Sequence, residues 1–249
     1  MPFRHLRTFL LALLLPAGSA LLAAEDDNDP RQTFQAGVSP DWLRAVGRLT
    51  VPGIRYEEGR RRHHTERCSA TLVRGASDRA ADTIVTAWHC VEYYEDLSQR
   101  ILFQVVDADD QPVEIEARQV ADGGDIDADW AILKLQRPVP RGEAPALEVG
   151  AVADKEPLLM AGYSRDTGLG KGGTRLTYDP QCRVTGGEPG SGYTDSDCKA
   201  YKGASGGAVI QLSRDGTPSL AGVISQGDGD GLSRYIPVGI FRSALLPHL

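Results

Sequence analysis

Apolar positions along the chain fall into short runs, among them "RAVGRLTV", "SATLVRG", "DTIVTAWHC", "RILFQVVDA", "PVEIEARQV", "WAILKLQRPV", "EPLLMAGYS", "GAVIQLS" and "SLAGVISQG". Each is β-branched or leucine-rich, is about ten residues or shorter, and is bounded by Gly, Pro, Asp or Ser, which is the pattern of antiparallel strands in a sandwich or barrel. No long helical period and no internal repeat interrupts it. Two stretches are helix candidates: residues 93–99, and a short turn of helix at residues 242–246 inside "IFRSALLPHL". The segment "RPVPRGEAPA" places three prolines within eight residues and divides the patterned region into halves, so an all-β chain of two barrels is expected.

The first 24 residues follow another rule. Arg4 and Arg7 precede an apolar core at residues 9–15, and small residues occupy 17–24, the layout of a secretory signal peptide. The core is too short to span a bilayer comfortably, and Glu25, Asp26 and Asp27 follow it at once. Residues 25–43 are polar and Pro/Gly-punctuated, a propeptide or a loose lead-in. The expected division is therefore a signal over 1–24, a lead-in over 25–43, an N-terminal barrel over 44–146 and a C-terminal barrel over 147–249. Secretion or periplasmic export follows, with no membrane attachment after signal removal, in a compartment where the four cysteines can pair. Four cysteines allow three connectivities, and spacing alone does not choose among them.

Composition adds limits rather than identity. With 249 residues, 41% hydrophobic and 24% charged, the chain is ordinary globular protein, and its net charge of -7 argues against a nucleic-acid partner held by phosphate neutralisation. The one basic run, residues 60–64 in "GRRRHHTER", has no interleaved aromatics and reads as a solvated loop.

Three residues then stand out. His89 directly follows the apolar run of "TIVTAWHC", while the other four histidines sit in the signal, the basic run and the last two residues. Asp129 immediately precedes Trp130, Ala131, Ile132 and Leu133, so its carboxylate sits at the mouth of a buried strand, where it needs donors to offset desolvation. Asp122 and Asp125 with Asp127 make an acidic cluster around it, but their spacing lacks the fixed glycine and terminal glutamate of an EF-hand loop, so no metal site is expected. Ser205, in "YKGASGGAVI", lies in a glycine-rich turn leading into a strand, which is an ordinary turn signal on its own.

Taken together these stretches resemble the trypsin-like, chymotrypsin-fold serine peptidases, in particular their bacterial secreted branch. "TAWHC" is similar to the family's Thr-Ala-Ala-His-Cys, "DWAILKL" to Asp-Ile-Ala-Leu-Leu-Lys-Leu, and "GASGGAV" to Gly-Asp-Ser-Gly-Gly-Pro-Val. "CSATLV", "AGYS" and "AGVISQG" match further family segments, and the resemblance spans about residues 45–241. The order His89, Asp129, Ser205, with separations of 40 and 76 residues, is also the family's. The resemblance implies two six-stranded antiparallel Greek-key barrels with a short C-terminal helix, and a monomeric endopeptidase that needs no cofactor and acts on peptides or proteins. In it Ser205 is the nucleophile, His89 the general base and acid, and Asp129 the group that orients the imidazole. Gly203 and Ser205 would present backbone N–H groups to the oxyanion. Ser225, Gln226 and Gly227 would form the substrate-binding strand. A Cys68–Cys90 disulfide would pin the histidine loop, and a Cys182–Cys198 bridge would brace the nucleophile loop.

Two departures from the family pattern matter. Ala204 stands where activated vertebrate members carry an aspartate that pairs with a newly cut N-terminus, so activity is not expected to depend on one exact N-terminus. Lys199, six residues before Ser205, does not repeat the acidic pocket floor of the family's basic-specific members and would favour acidic side chains; a lysine that snorkels out of its loop is the alternative. Two other functions fit parts of the sequence. "GASGG" also satisfies the Gly-x-Ser-x-Gly elbow of α/β-hydrolase esterases, but that fold places its histidine after the serine, where only His248 remains. A catalytically silent binding module on the same fold would be favoured by a missing triad member, and all three are present.

Overall fold

The computed structural model describes residue 1 and residues 29–76, 80–96, 98–150, 157–187 and 191–249. Apart from Met1, the segment read as a signal peptide lies outside the described residues. Among the described residues no helix is long and apolar enough to cross a membrane.

The first half closes on itself. Strands β2 (Val46–Glu57), β3 (Arg60–Arg74), β4 (Ala80–Thr86), β5 (Ile101–Val106), β6 (Pro112–Asp122) and β7 (Ala131–Pro140) pair antiparallel in the ring β2-β3-β4-β7-β6-β5 and back to β2. The alternating residues of "ILFQVV" send Ile101, Phe103 and Val105 inward, where they meet Leu49, Ile84 and Leu133. The basic run corrects its sequence reading: residues 60–64 are not a loop but the start of β3, with residues 60–63 facing solvent and His64 half-buried against Tyr93. The two-residue turn Glu58–Gly59, with φ of 51° and 73°, sets the register Glu57 to Arg60 and extends the hairpin regardless of side-chain polarity.

The second half is built from shorter strands: β9 (Leu158–Gly162), β10 (Thr177–Cys182), β11 (Val184–Gly186), β12 (Thr194–Ser196), β13 (Ala208–Leu212), β14 (Pro218–Gly227) and β15 (Ser233–Pro237). Here β10 and β11 are one strand broken at Arg183. The first piece pairs with β9 and the second with β12, and the ring continues through β15, β14 and β13 back to β9. Counted so, this barrel also has six strands. Met160, Val209, Ile224 and Tyr235 fill it.

Three pieces join the halves. β8 (Leu147–Val149), just past the proline-rich break, runs parallel to both β3 and β14. Helix α1 (Val238–Leu245) covers residues 242–245 of the expected helical turn, with Leu246 opening the 3-10 turn that follows, and stacks Phe241 on Trp130 with ring centroids 5.6 Å apart. Beyond it, the His248 carbonyl accepts hydrogen bonds from Lys134 Nζ (2.9 Å) and Thr83 Oγ1 (2.5 Å) of the first barrel. The other helix candidate is corrected: residues 93–96, 98 and 99 are turn or irregular, because Asp96 accepts from the Ser98 N–H and hydroxyl and from the Gln99 amide. Such a side-chain turn competes with helical pairing.

From Asp29 onward the lead-in is docked. β1 (Gln32–Thr33) pairs with Tyr178 and Thr177 of β10, and Arg31 is almost fully buried. Its polar composition serves an ion network: Arg31 donates to Asp29 Oδ2 (2.7 Å) and Asp166 Oδ1 (2.9 Å), and its guanidinium lies 4.2 Å from the centroid of Tyr201.

Candidate active site

His89 lies in the 3-10 turn Trp88–Cys90 that ends β4, and Cys90 is bonded to Cys68 on β3. Of the three possible pairings the chain realises Cys68–Cys90 and Cys182–Cys198. Asp129 immediately precedes Trp130 and β7. Its loop is shaped by Asp125, whose carboxylate caps the backbone N–H groups of Asp127 and Ala128, while Asp122 accepts from Gln119.

The Asp129 carboxylate is completely buried and takes three hydrogen bonds. Oδ1 accepts from the His89 backbone N–H at 2.8 Å; Oδ2 faces His89 Nδ1 at 2.8 Å and accepts from Ser225 Oγ at 2.5 Å. Three donors offset the desolvation of an interior charge, which answers the requirement seen in the sequence. With Nδ1 committed to the carboxylate, Nε2 is the ring nitrogen left for chemistry.

Ser205 is brought in by the second barrel. Its hydroxyl donates to the Ser225 carbonyl at 3.2 Å, and no hydrogen bond to His89 is formed among the described residues. Ser225 thus binds both groups, the aspartate by its hydroxyl and the serine by its carbonyl. The turn carrying Ser205 is closed by Ala204 N–H to Tyr201 O (3.0 Å) and Gly207 N–H to Ala204 O (2.8 Å). Two glycines are required there. Gly203 has φ of 99°, and a side chain on Gly206, at φ 83°, would lie 2.1 Å from both the Ser69 carbonyl and Thr86 Oγ1. The backbone N–H groups of Gly203 and Ser205 have no acceptor among the described residues.

Sequence reasoning missed Ser69. Fully buried on β3, it donates its hydroxyl to the Gly203 carbonyl (2.9 Å), accepts from the Tyr163 N–H (2.8 Å), and gives its own N–H to the Ser205 carbonyl (2.8 Å). Thr86 in turn donates to the Ser69 carbonyl. The available signal was a small hydroxyl inside the buried strand "CSATLV", since a buried polar side chain must find a partner.

The expected substrate-binding residues separate. Gln226 and Gly227 end β14 and line a cavity of about 210 Å³ with Asp228, Leu232 and Arg234. Lys199 instead stands 3.9 Å from Asp29 and 5.9 Å from the Tyr201 ring centroid, and its backbone N–H holds Asp179 at 2.9 Å. Burial pushes the Asp179 carboxyl above its ordinary value despite that bond. Ala204 is buried and packed closely on Gly162, and it carries no carboxylate to pair with a new N-terminus.

Residues 68–217 match the family model of the trypsin-like peptidase domain, more than half of the chain. The chain belongs to the trypsin-like serine peptidases. No curated protein sequence matches this peptidase. Its fold is shared with solved serine proteases of low identity. One is Anisep from Arthrobacter nicotinovorans, with 15% identity, 88% of this chain and 98% of that one covered, and a TM-score of 0.63. A second is the thermostable protease AL20 from an extremophilic microorganism, with 17% identity, 80% and 93% covered, and a TM-score of 0.58. A third is the Rv3671c protease of M. tuberculosis in its active form, with 18% identity, 82% and 80% covered, and a TM-score of 0.57. The peptidase is thus a two-barrel, chymotrypsin-like protein with a short C-terminal helix.

Proposed function

We propose that the peptidase is a secreted or periplasmic endopeptidase that cleaves peptide bonds through Ser205, His89 and Asp129 and an acyl-enzyme intermediate. The observation that carries this reading is the convergence on Ser225, which ties the hydroxyl of Ser205 and the carboxylate of Asp129 to one residue while Asp129 grips His89. Rotation of the Ser205 side chain moves its hydroxyl from the Ser225 carbonyl to His89 Nε2, a contact of the kind that tightens when substrate binds. His89 then removes the proton as Ser205 Oγ attacks the carbonyl carbon, and Asp129 stabilises the imidazolium. The N–H groups of Gly203 and Ser205 receive the oxyanion, with the Gly203 peptide held by Ser69. His89 returns the proton to the leaving amine, and water repeats the sequence to free the enzyme. The barrels divide the labour at residue 146, with His89 and Asp129 before it and Ser205 after. Residues 1–24 direct export, and the two disulfides suit that compartment.

The test is a serine-reactive fluorophosphonate probe applied to the mature protein and to Ser205→Ala. Labelling of the wild type alone is expected, with cleavage of a mixed peptide library lost in the variant. Labelling of both proteins, or of neither, removes Ser205 from the mechanism.

A further inference from the structure

A second cavity, of about 450 Å³, adjoins the Gly203 side of the site. It is distinct from the one at Gln226 and Gly227, and shares no lining residue with it. Arg48, Arg67 and Arg165 line it beside Tyr163 and Cys68, and Glu114 is the single acidic residue in its wall. Three guanidiniums against one carboxylate make a basic concavity on a chain whose net charge is -7.

Each arginine is fixed to the catalytic frame. The Arg165 backbone N–H donates to the Lys202 carbonyl at 2.7 Å, and its stem packs so close to Gly203 that a Cβ there would lie 2.6 Å from Arg165 Cγ. Arg67 precedes Cys68, whose disulfide to Cys90 holds it next to the His89 turn. Arg48 donates to Gln104 Oε1 and lies 5.8 Å from the Tyr163 ring centroid. Arg67 and Arg165 are exposed and form no ion pair among the described residues.

We infer that this cavity is a subsite for an acidic side chain on the leaving-group side of the scissile bond. The inference rests on the triad reading above. With the acyl portion of a peptide along residues 225–227 and the oxyanion at the Gly203 and Ser205 N–H groups, the leaving portion continues past Gly203, towards Arg165 and Cys68. At about 3.3 Å per extended residue, the first three residues beyond the cleaved bond come within reach of the guanidiniums. A planar guanidinium grips a carboxylate through two parallel hydrogen bonds, so neither a neutral amide nor a lysine replaces it. A concave basic wall also draws acidic segments in from solution.

The experiment uses quenched fluorescent peptides with one cleavable acyl sequence taken from the library profile. Glu, Gln or Lys is placed in turn at each of the three positions after the scissile bond, and every C-terminus is amidated so that only a side chain supplies the carboxylate. At one of those positions kcat/KM is expected to favour Glu over Gln by roughly two- to fivefold, less in high salt, with Lys poorest. Arg165→Ala and Arg67→Ala each bring the Glu/Gln ratio towards one. Arg137→Ala, an exposed arginine outside the cavity wall, leaves it unchanged. Thermal melting confirms that the variants fold. Equal cleavage of Glu and Gln peptides at all three positions overturns the subsite and leaves the triad standing. A Glu preference that persists in both arginine variants overturns it as well, as does a preference seen only when the C-terminus carries a free carboxylate. Absence of cleavage that depends on Ser205 removes the triad reading and the subsite together.

Discussion

The two barrels contribute to one site but are stabilised differently. The first is a continuous ring of long strands, with a hairpin of twelve registered pairs and a core formed from its own strands and the Cys68–Cys90 bridge. The second has short strands and a ring broken at Arg183, and it is held by attachments: the Asp29 to Thr33 strap, the Cys182–Cys198 bridge and helix α1. His89 and Asp129 stand on the barrel of long strands, whereas Ser205 stands on the barrel of short ones. The placement of Ser205 therefore depends on contacts distant in sequence, and the contrast can be pressed at three places.

The largest effect is expected at the seam itself. Gly206→Ala would drive a Cβ against the Ser69 carbonyl and Thr86 Oγ1 at a positive φ, destabilising by about 4 kcal/mol or more and abolishing probe labelling. Urea unfolding and fluorophosphonate labelling check this; a variant of wild-type stability and reactivity would show that the barrels are not locked through this turn.

Next comes the strap. Arg31→Met keeps much of the side-chain volume but leaves Asp29 and Asp166 without their cation. Both carboxylates retain slight access to water, so a loss of about 2–3 kcal/mol is expected rather than the full cost of an orphaned interior charge. Faster amide exchange should appear at residues 201–207, beneath the Arg31–Tyr201 contact, and not in β2 or β3. Acid should reproduce the loss. Burial works to raise the pKa of Asp29 and Asp166, but the hydrogen bonds and charge of Arg31 outweigh it and hold both below the ordinary 3.8. A carboxylate with a depressed folded value contributes fully above its unfolded value and loses that contribution as pH falls through the folded one. The stability gap between wild type and Arg31→Met should therefore be constant above about pH 5 and shrink below pH 3.8.

The smallest effect is expected on the first barrel. Arg55→Ala removes an exposed 2.6 Å ion pair with Glu66 on the long hairpin and should cost no more than about 0.5 kcal/mol by the same urea measurement, because solvent already screens the pair. A loss as large as that of Arg31→Met would erase the contrast between the barrels.

Much of this was legible in the sequence, and the reason differs by element. Barrel strands such as "ILFQVV" announce themselves because alternation is a local property. His89, Asp129 and Ser205 each sit at the end or start of an apolar run, but that position alone is an ordinary signal, and their proposed roles were read from the order of three family-like motifs. The hairpin over residues 60–64 was hidden because a two-residue turn, not side-chain pattern, sets its register. Ser69 and Arg31 were hidden for a deeper reason: their partners, Gly203 and Asp166, lie 134 and 135 residues away, and no local pattern encodes a pairing at that distance. Lys199 was read from its count back from Ser205, yet its neighbour is Asp29 in a segment that the sequence presents as a polar preamble.

The bond from Ser225 to Asp129 also has a meaning in time. Synthesis makes Asp129 96 residues before Ser225, so the growing chain first holds an aspartate whose third donor does not yet exist. Ser225 of β14 supplies that donor, and its carbonyl also accepts the Ser205 hydroxyl. Under the proposed mechanism, a chain that stops short of Ser225 lacks both a donor to Asp129 and the acceptor of the Ser205 hydroxyl.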